Sequence, residues 1–169
     1  ASPTCAMVLG EQGGARGWLV GKRHEGLACM FTMMNHMRLG VGVHSLGVAE
    51  RSLQLARTHA HDRLQGRNEQ GAQRPIIEHA DVRRMLLRQK AIVEGGVSLL
   101  AATSLQADLA AHAQDEHARR RAGLLLDLLT PVAKTFPAEK GYEANALALQ
   151  VHGGYGYSSE YLAEAWLRD

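Results

Sequence analysis

A mainly α-helical fold is predicted by three features of this 169-residue sequence. Apolar residues make up 46% of the chain and aromatic residues only 5%, so we expect a core of Leu, Val, Met and Ala, which suits packed helices better than a sandwich or barrel. In several long stretches the apolar residues recur at three- and four-residue spacing, as in helices with a buried face. The last such pattern stops at Gly153 and Gly154, because glycine readily adopts the left-handed backbone angles that end helices.

The composition argues against several classes of protein. With 19 basic and 17 acidic residues, the net charge of +2 gives no reason to expect nucleic-acid or membrane-surface binding. Cys5 and Cys29 are too few for a disulfide framework and lack metal-ligand spacing, so we expect a cytoplasmic protein without a metal site. His59 and His61 fall on different helix faces and cannot share an ion, and most of the nine histidines are expected to be solvated. No stretch reaches membrane-spanning length, and no secretory signal is visible.

Residues 1–26 are predicted to form a β-hairpin rather than helix. Two short apolar runs, residues 5–9 and 18–20, flank a glycine-rich stretch between Gly10 and Gly17. Because two strands alone are marginally stable, we expect them to be the remnant of a larger sheet. The chain begins at Ala1 and stops in a helix-like pattern at Asp169, which suggests a piece of a longer protein.

The first helix is predicted over roughly residues 27–63. Its apolar residues fall on two faces, which indicates burial between neighbouring helices. They are Leu27, Met30, Met34, Met37 and Val41 on one face, and Leu39, Val43, Leu46 and Leu53 on the other. Gly40, Gly42 and Gly47 each weaken the helix by about 1 kcal/mol relative to Ala, for which close helix–helix approach is the expected compensation. Arg38 is expected to be buried, where its charge needs either a carboxylate on another helix or an anionic ligand.

Three further helices are predicted. The second begins at Pro75, and residues 104–117 either extend it or form a surface excursion. The third covers residues 124–132, with Pro131 kinking it and Pro137 ending it. A fourth runs from about Tyr142 to Gln150 and leads into the glycine pair.

Two local features suggest a binding role. One stretch of backbone carries few side chains, because it contains Gly153, Gly154 and Gly156. A flat or charged group could therefore approach its peptide units. The alternative interpretation is a simple helix end. Arg63, at the end of the first helix, either complements the helix dipole or grips a phosphate.

The sequence resembles the carboxy-terminal half of an acyl-CoA dehydrogenase. The resemblance rests on the order of three blocks: residues 30–38 with 47–63, the run Pro75-Ile-Ile-Glu-His, and residues 150–161 followed by Arg168-Asp169. It implies a flavoprotein of three parts that ends in an up-and-down four-helix bundle. Residues 1–26 would then be the remnant of the middle β domain, and residues 27–169 the bundle, truncated before its last helix.

The resemblance also assigns roles to individual residues. Arg63, Gln65, Gln150, Gly153 and Gly154 would contact the FAD of a neighbouring subunit in a homodimer or homotetramer. Asn35 and Arg38 would lie near the acyl-CoA substrate.

The implied reaction is α,β-dehydrogenation of an acyl-CoA thioester to a trans-2-enoyl-CoA, with electron-transfer flavoprotein as the acceptor. The resemblance implies a glutamate base shortly after the Arg168-Asp169 pair, beyond the end of this sequence. A minority of members carry it on the first bundle helix instead, and Met37 stands at that position here. The chain alone is therefore expected to hold no catalytic residue and to be inactive. After the arginine that Arg63 matches, the family usually has Thr-Phe-Gly, whereas this chain has Leu64-Gln65-Gly66. This departure suggests a divergent branch of the family that acts on short or thioether-containing acyl groups. The alternative is a non-catalytic helical relative used for assembly or nucleic-acid association.

Overall fold

A computed structural model describes residues 3–168 of the chain, which divides into two units, residues 1–34 and 35–169. The helices are α1 (Gly26–Asp62), α2 (Ala80–His112), α3 (Glu116–His152) and α4 (Ala163–Arg168). Two short strands, β1 (Leu64–Arg67) and β2 (Gln73–Pro75), pair in antiparallel fashion, and 3₁₀ turns cover Ile76–Glu78 and Gly153–Tyr157. The predicted mainly α fold is confirmed.

The β-hairpin predicted for residues 1–26 is wrong for the described residues 3–25, because its strands do not form. Residues 3–25 contain a turn at residues 11–13, where the Gly14 amide donates to the Gly10 carbonyl at 2.9 Å, but no strand. Met7, Leu9 and Trp18 are 78%, 78% and 84% exposed. Apolar runs of this kind need further strands and a packing surface to form a sheet. The small sheet instead follows α1, and the assignment of residues 1–26 to a β domain stays a prediction.

The long helices confirm some of the expected boundaries. α1 matches the predicted first helix within one residue at each end. α2 begins at Ala80, after the 3₁₀ turn that follows Pro75, and residues 104–112 extend it. Asp115 starts α3, because its carboxylate accepts hydrogen bonds from the amides of His117 and Ala118 at 3.3 and 3.0 Å.

The third and fourth predicted helices are one helix, α3, which continues through Pro131 and Pro137. A proline leaves the carbonyl four residues earlier without its amide donor, and for Pro137 that carbonyl belongs to Ala133. Here it faces Gly42 of α1 so closely that a Cβ on Gly42 would lie 2.5 Å from the Ala133 oxygen. Pro137 is itself fully buried. Tertiary packing therefore holds a helix that the isolated sequence pattern would end.

The core of residues 35–169 lies where α1, α2 and α3 pack together. Small residues on α1 allow close approach, and Leu46 fits against Gly96 of α2. Of the three glycines predicted to permit close packing, Gly42 does so, whereas Gly40 and Gly47 face open space. The buried residues of the three clusters are Ala56, Ala60, Ile76, Met85, Leu86, Ala148 and Val151; Ala49, Ile92, Val93 and Ala144; and Leu46, Leu100 and Ala133.

The first half of α1 is not buried as predicted. Met37 is 55% exposed, because the face of α1 that packs into the core begins near Gly42. Arg38 is accordingly half-buried, and its guanidinium donates to the side-chain oxygen of Asn35 at 3.3 Å. The predicted buried charge is therefore wrong for this chain. Among the described residues, none of the helices has the length and apolar character needed to cross a bilayer.

Candidate functional site

A cavity of about 680 Å³ lies where the end of α1 and β1 meet the start of α2 and the end of α3. We call it the glycine-turn cavity. Its lining includes all five residues that the sequence predicts to contact the cofactor. The lining residues are His59, Arg63, Gln65, Ile76, His79, Val82, Met85, Gln150, Val151, His152, Gly153, Gly154, Tyr155 and Ser158.

Arg63 supplies the positive charge of the cavity. It directly follows α1, and its backbone is fixed at both ends: its amide donates to the His59 carbonyl at 2.9 Å, and its carbonyl accepts from the Ile76 amide at 2.8 Å. The guanidinium carbon lies 5.5 Å from the centre of the Tyr155 ring, a distance that suits a cation–π contact. The side chain is exposed and thus available to an anion.

Two of the three glycines of the turn have a structural explanation, and the third has none. Gly153 ends α3 with φ of 60°, a conformation that other residues adopt only with strain. At Gly156 a Cβ would lie 2.5 Å from the carbonyl oxygen of Leu149, so packing excludes a side chain there. Gly154 has neither constraint: its φ lies outside the left-handed region, and an added Cβ would meet open space. Nothing in the fold therefore requires glycine at position 154.

The backbone of Gln65 is held by a hydrogen bond from His79, which also lines the cavity. His79 Nδ1 lies 3.1 Å from the guanidinium of Arg74, which can only donate, so Nδ1 accepts. The ring proton then resides on Nε2, which donates to the Gln65 carbonyl at 2.9 Å. This hydrogen bond ties β1 to the residue that precedes α2.

A cluster of histidine and tyrosine rings includes three residues of the cavity lining, His59, His152 and Tyr155. His59 and His152 stack with ring centres 4.4 Å apart, and Tyr161 contacts both with ring centres at 6.1 and 5.6 Å. Burial, followed by the proximity of His152 and Arg63, lowers the pKa of His59 below 6.5, whereas Asp62 opposes the shift. The His59 ring is therefore mostly neutral at pH 7.

His152 carries an unsatisfied polar atom. The residue is 3% exposed, and its Nδ1 lies 2.7 Å from the Ala148 carbonyl, which can only accept, so the proton resides on Nδ1. Nε2 is buried and has no hydrogen-bond partner among the described residues. Most of the histidines are exposed, as predicted, and His59 and His152 are exceptions. One signal is visible in the sequence: His59 lies one helical turn before Arg63, and His152 directly precedes Gly153.

The remaining predicted residues lie outside this cavity. Asn35 and Arg38 bond to each other on α1 and do not line it. Met37, at the position where a minority of the family carries the base, is a 55% exposed thioether. Arg168 pairs with Glu164 at 3.3 Å, and Asp169 lies outside the described residues.

The triple-arginine stretch on α3 has a structural explanation in part. Arg119 donates to the Ala113 carbonyl at 3.0 Å and so caps the end of α2. Arg120 and Arg121 are exposed. This arrangement is typical of a solvated helix start.

Comparison with known proteins identifies the family. The family described as "Acyl-CoA dehydrogenase, C-terminal domain" matches residues 24–169. The chain is 43% identical over 172 residues to 3-methylmercaptopropionyl-CoA dehydrogenase of Ruegeria pomeroyi, with 100% of this chain and 29% of that protein covered. It is 35% identical over 176 residues to a butyryl-CoA dehydrogenase of Syntrophomonas wolfei, with 99% of this chain and 29% of that protein covered.

A solved structure has the same fold. Butyryl-CoA dehydrogenase from Megasphaera elsdenii matches with a TM-score of 0.71 at 22% identity, over 88% of this chain and 34% of that chain. The chain thus spans less than a third of the length of the curated relatives named above. The family match over residues 24–169, with the fold and the sequence identities, shows that the chain belongs to the acyl-CoA dehydrogenase family as its carboxy-terminal domain.

Proposed function

We propose that this chain forms the flavin-binding and assembly part of an FAD-dependent acyl-CoA dehydrogenase. The full protein would convert an acyl-CoA to its trans-2-enoyl thioester. The observation that carries the proposal is the pairing of Arg63 and Gly154 in one cavity. Gly154 is free of any structural need to be glycine, so the approach of a ligand to its backbone is the simplest reason for a bare peptide there.

The chemistry of the cavity suits a dinucleotide diphosphate. Arg63 provides a planar, permanently charged donor that phosphate oxygens accept well. The peptide units around Gly154 offer backbone amides beside it, and Gln65 and Gln150 add uncharged side chains to the lining. These residues would hold the diphosphate of FAD, and the flavin, when bound, would accept a hydride from the β carbon of the substrate.

We further propose that the diphosphate belongs to the FAD of an adjacent protomer in a homodimer or homotetramer. Arg63, Gln65, Gly153, Gly154 and Tyr155 are all exposed. A surface of this kind can close over a ligand that a second subunit presents. In this arrangement neither subunit has a complete flavin site by itself.

The substrate would meet a different part of α1. Arg38 is only half-buried, so its guanidinium remains accessible to an anionic acyl-CoA. Asn35 would orient it through the 3.3 Å hydrogen bond. Met37 cannot accept a proton, and the family resemblance implies a glutamate base after the Arg168-Asp169 pair, beyond Asp169. We therefore expect the 169-residue chain alone to be inactive. Electron-transfer flavoprotein is the proposed acceptor.

The proposal extends to substrate class and compartment. The identity to a relative named for 3-methylmercaptopropionyl-CoA supports a short or thioether-containing acyl group. Cys5 and Cys29 are free thiols, which suits a reducing cytoplasm.

Spectroscopy of the full-length protein tests this proposal. We expect a flavin absorption spectrum after purification, bleached under anaerobic conditions by at least one member of a panel that includes butyryl-CoA and 3-methylmercaptopropionyl-CoA. A protein that binds no flavin, or whose bound flavin no acyl-CoA reduces, would overturn it in favour of a non-catalytic relative.

A further inference from the structure

We propose that His59 is a further ligand-binding residue of the glycine-turn cavity and takes up a proton when a diphosphate binds there. This inference rests on the proposed binding of FAD. It adds a second cationic group to the site, one whose charge exists only in the complex.

The geometry places His59 beside the proposed anion. His59 lies one helical turn before Arg63, whose amide donates to the His59 carbonyl at 2.9 Å, and both residues line the cavity. The stack with His152 at 4.4 Å and the edge contacts of Tyr155 and Tyr161 at 6.5 and 6.1 Å hold the ring in place. A protonated imidazole in this position would add a second cationic donor beside Arg63 in the same cavity.

The charges that face His59 explain why it lacks the proton without ligand. Burial of the ring acts first, and the proximity of His152 on α3 and of Arg63, which directly follows α1, adds to the same effect. Asp62 is the one acid among the groups that perturb it and acts in the opposite direction. The other groups that face the ring are Tyr155 and Tyr161, which follow α3. A diphosphate would offset the Arg63 charge and so favour the protonated form of His59.

His152 is the less suitable of the two rings to take the proton. Its Nδ1 proton is held by the Ala148 carbonyl at 2.7 Å, and its Nε2 is buried without a partner. Protonation of Nε2 would place an unpaired charge in the interior, which is costly. His59 is half-buried and open to the cavity. His152 therefore contributes by stacking on the His59 ring at 4.4 Å.

Proton uptake can be measured directly. The flavin-free full-length protein is titrated with FAD by calorimetry near pH 7, in two buffers with different heats of ionisation. No group of FAD itself titrates near this pH, so protons taken from the buffer report on the protein. We expect a net uptake between zero and one proton, and a Kd that rises with pH by up to about tenfold per unit between the pKa values of the free and the bound protein.

Two variants assign the proton. His59→Gln should abolish the uptake and flatten the pH dependence of Kd. His61→Gln should leave both unchanged, because His61 is exposed on the same helix and faces other grooves. Unchanged uptake in His59→Gln would overturn the inference.

The wild-type result decides the matter even if a variant fails to fold. FAD binding with no proton uptake at any pH between about 6 and 8, the range around the ordinary histidine pKa, would contradict the inference and leave the proposed function intact. A wild-type protein that binds no FAD would contradict the proposed function itself.

Discussion

Replacement of Arg63 by Ala separates a role in FAD binding from a role in stability. In the folded chain Arg63 is exposed and makes one cation–π contact with Tyr155 at 5.5 Å, worth about 0.5–1 kcal/mol at such a site. A charge-assisted contact with phosphate is worth roughly 1.5–3 kcal/mol. At about 1.4 kcal/mol per tenfold, the variant should bind FAD roughly 10- to 100-fold more weakly while losing at most about 1 kcal/mol of stability.

The assay is a titration of flavin-free full-length protein with FAD, followed by absorbance or flavin fluorescence, with urea unfolding of the same samples. Arg57→Ala is the matched control, because Arg57 lies on α1 but lines a different groove. Its Kd should equal that of the wild type. An unchanged Kd for Arg63→Ala would refute the reasoning, as would equal losses in the two variants.

Four further predictions concern the glycines and the titratable groups. Gly154→Ala should leave the urea midpoint unchanged, since its Cβ enters open space, and should raise the Kd for FAD by about tenfold or more; a normal Kd would refute ligand approach at this position. Gly42→Ala should cost about 1–3 kcal/mol of folding free energy because its Cβ would meet the backbone of α3, whereas Gly40→Ala, in open space, should stabilise by about 0.5–1 kcal/mol. The pKa of His59 in the folded state lies below the unfolded value of 6.5, so the unfolded state binds more protons and the folding free energy decreases as the pH drops from 6.5 through the folded pKa. In urea unfolding, His59→Gln should therefore lose less folding free energy than the wild type between about pH 7.5 and pH 5.5. Hydrogen bonds from Lys140 and then from Arg88 hold the pKa of Glu143 below 4.5, so Glu143→Gln should lower stability by about 0.2–1 kcal/mol at pH 7, and that difference should vanish as the pH falls through the folded pKa of Glu143.

Local sequence signals predicted a large part of the fold and of the candidate site. The end of α3 follows from Gly153, which the backbone needs for its φ of 60°, and the end of α1 from the polar residues before Arg63. The five predicted cofactor residues line one cavity although they come from two segments more than eighty residues apart in the sequence. The family resemblance linked the two segments, and spacing alone could not have done so.

The errors come from interactions between segments. Pro137 reads as a helix end, but the Ala133 carbonyl that it leaves free lies against Gly42, which no local pattern reveals. The apolar first half of α1 reads as buried, yet the core reaches only the part from about Gly42 onward. The stack of His59 on His152 joins α1 to α3, so its effect on the His59 pKa became visible only in three dimensions.

The most direct measurement is a structure of the full-length protein with FAD bound. The account predicts diphosphate oxygens of an adjacent protomer's FAD within hydrogen-bonding distance of the Arg63 guanidinium, with the Gly154 peptide packed against them. FAD bound elsewhere, or a glycine-turn cavity filled by the protein's own side chains, would contradict it.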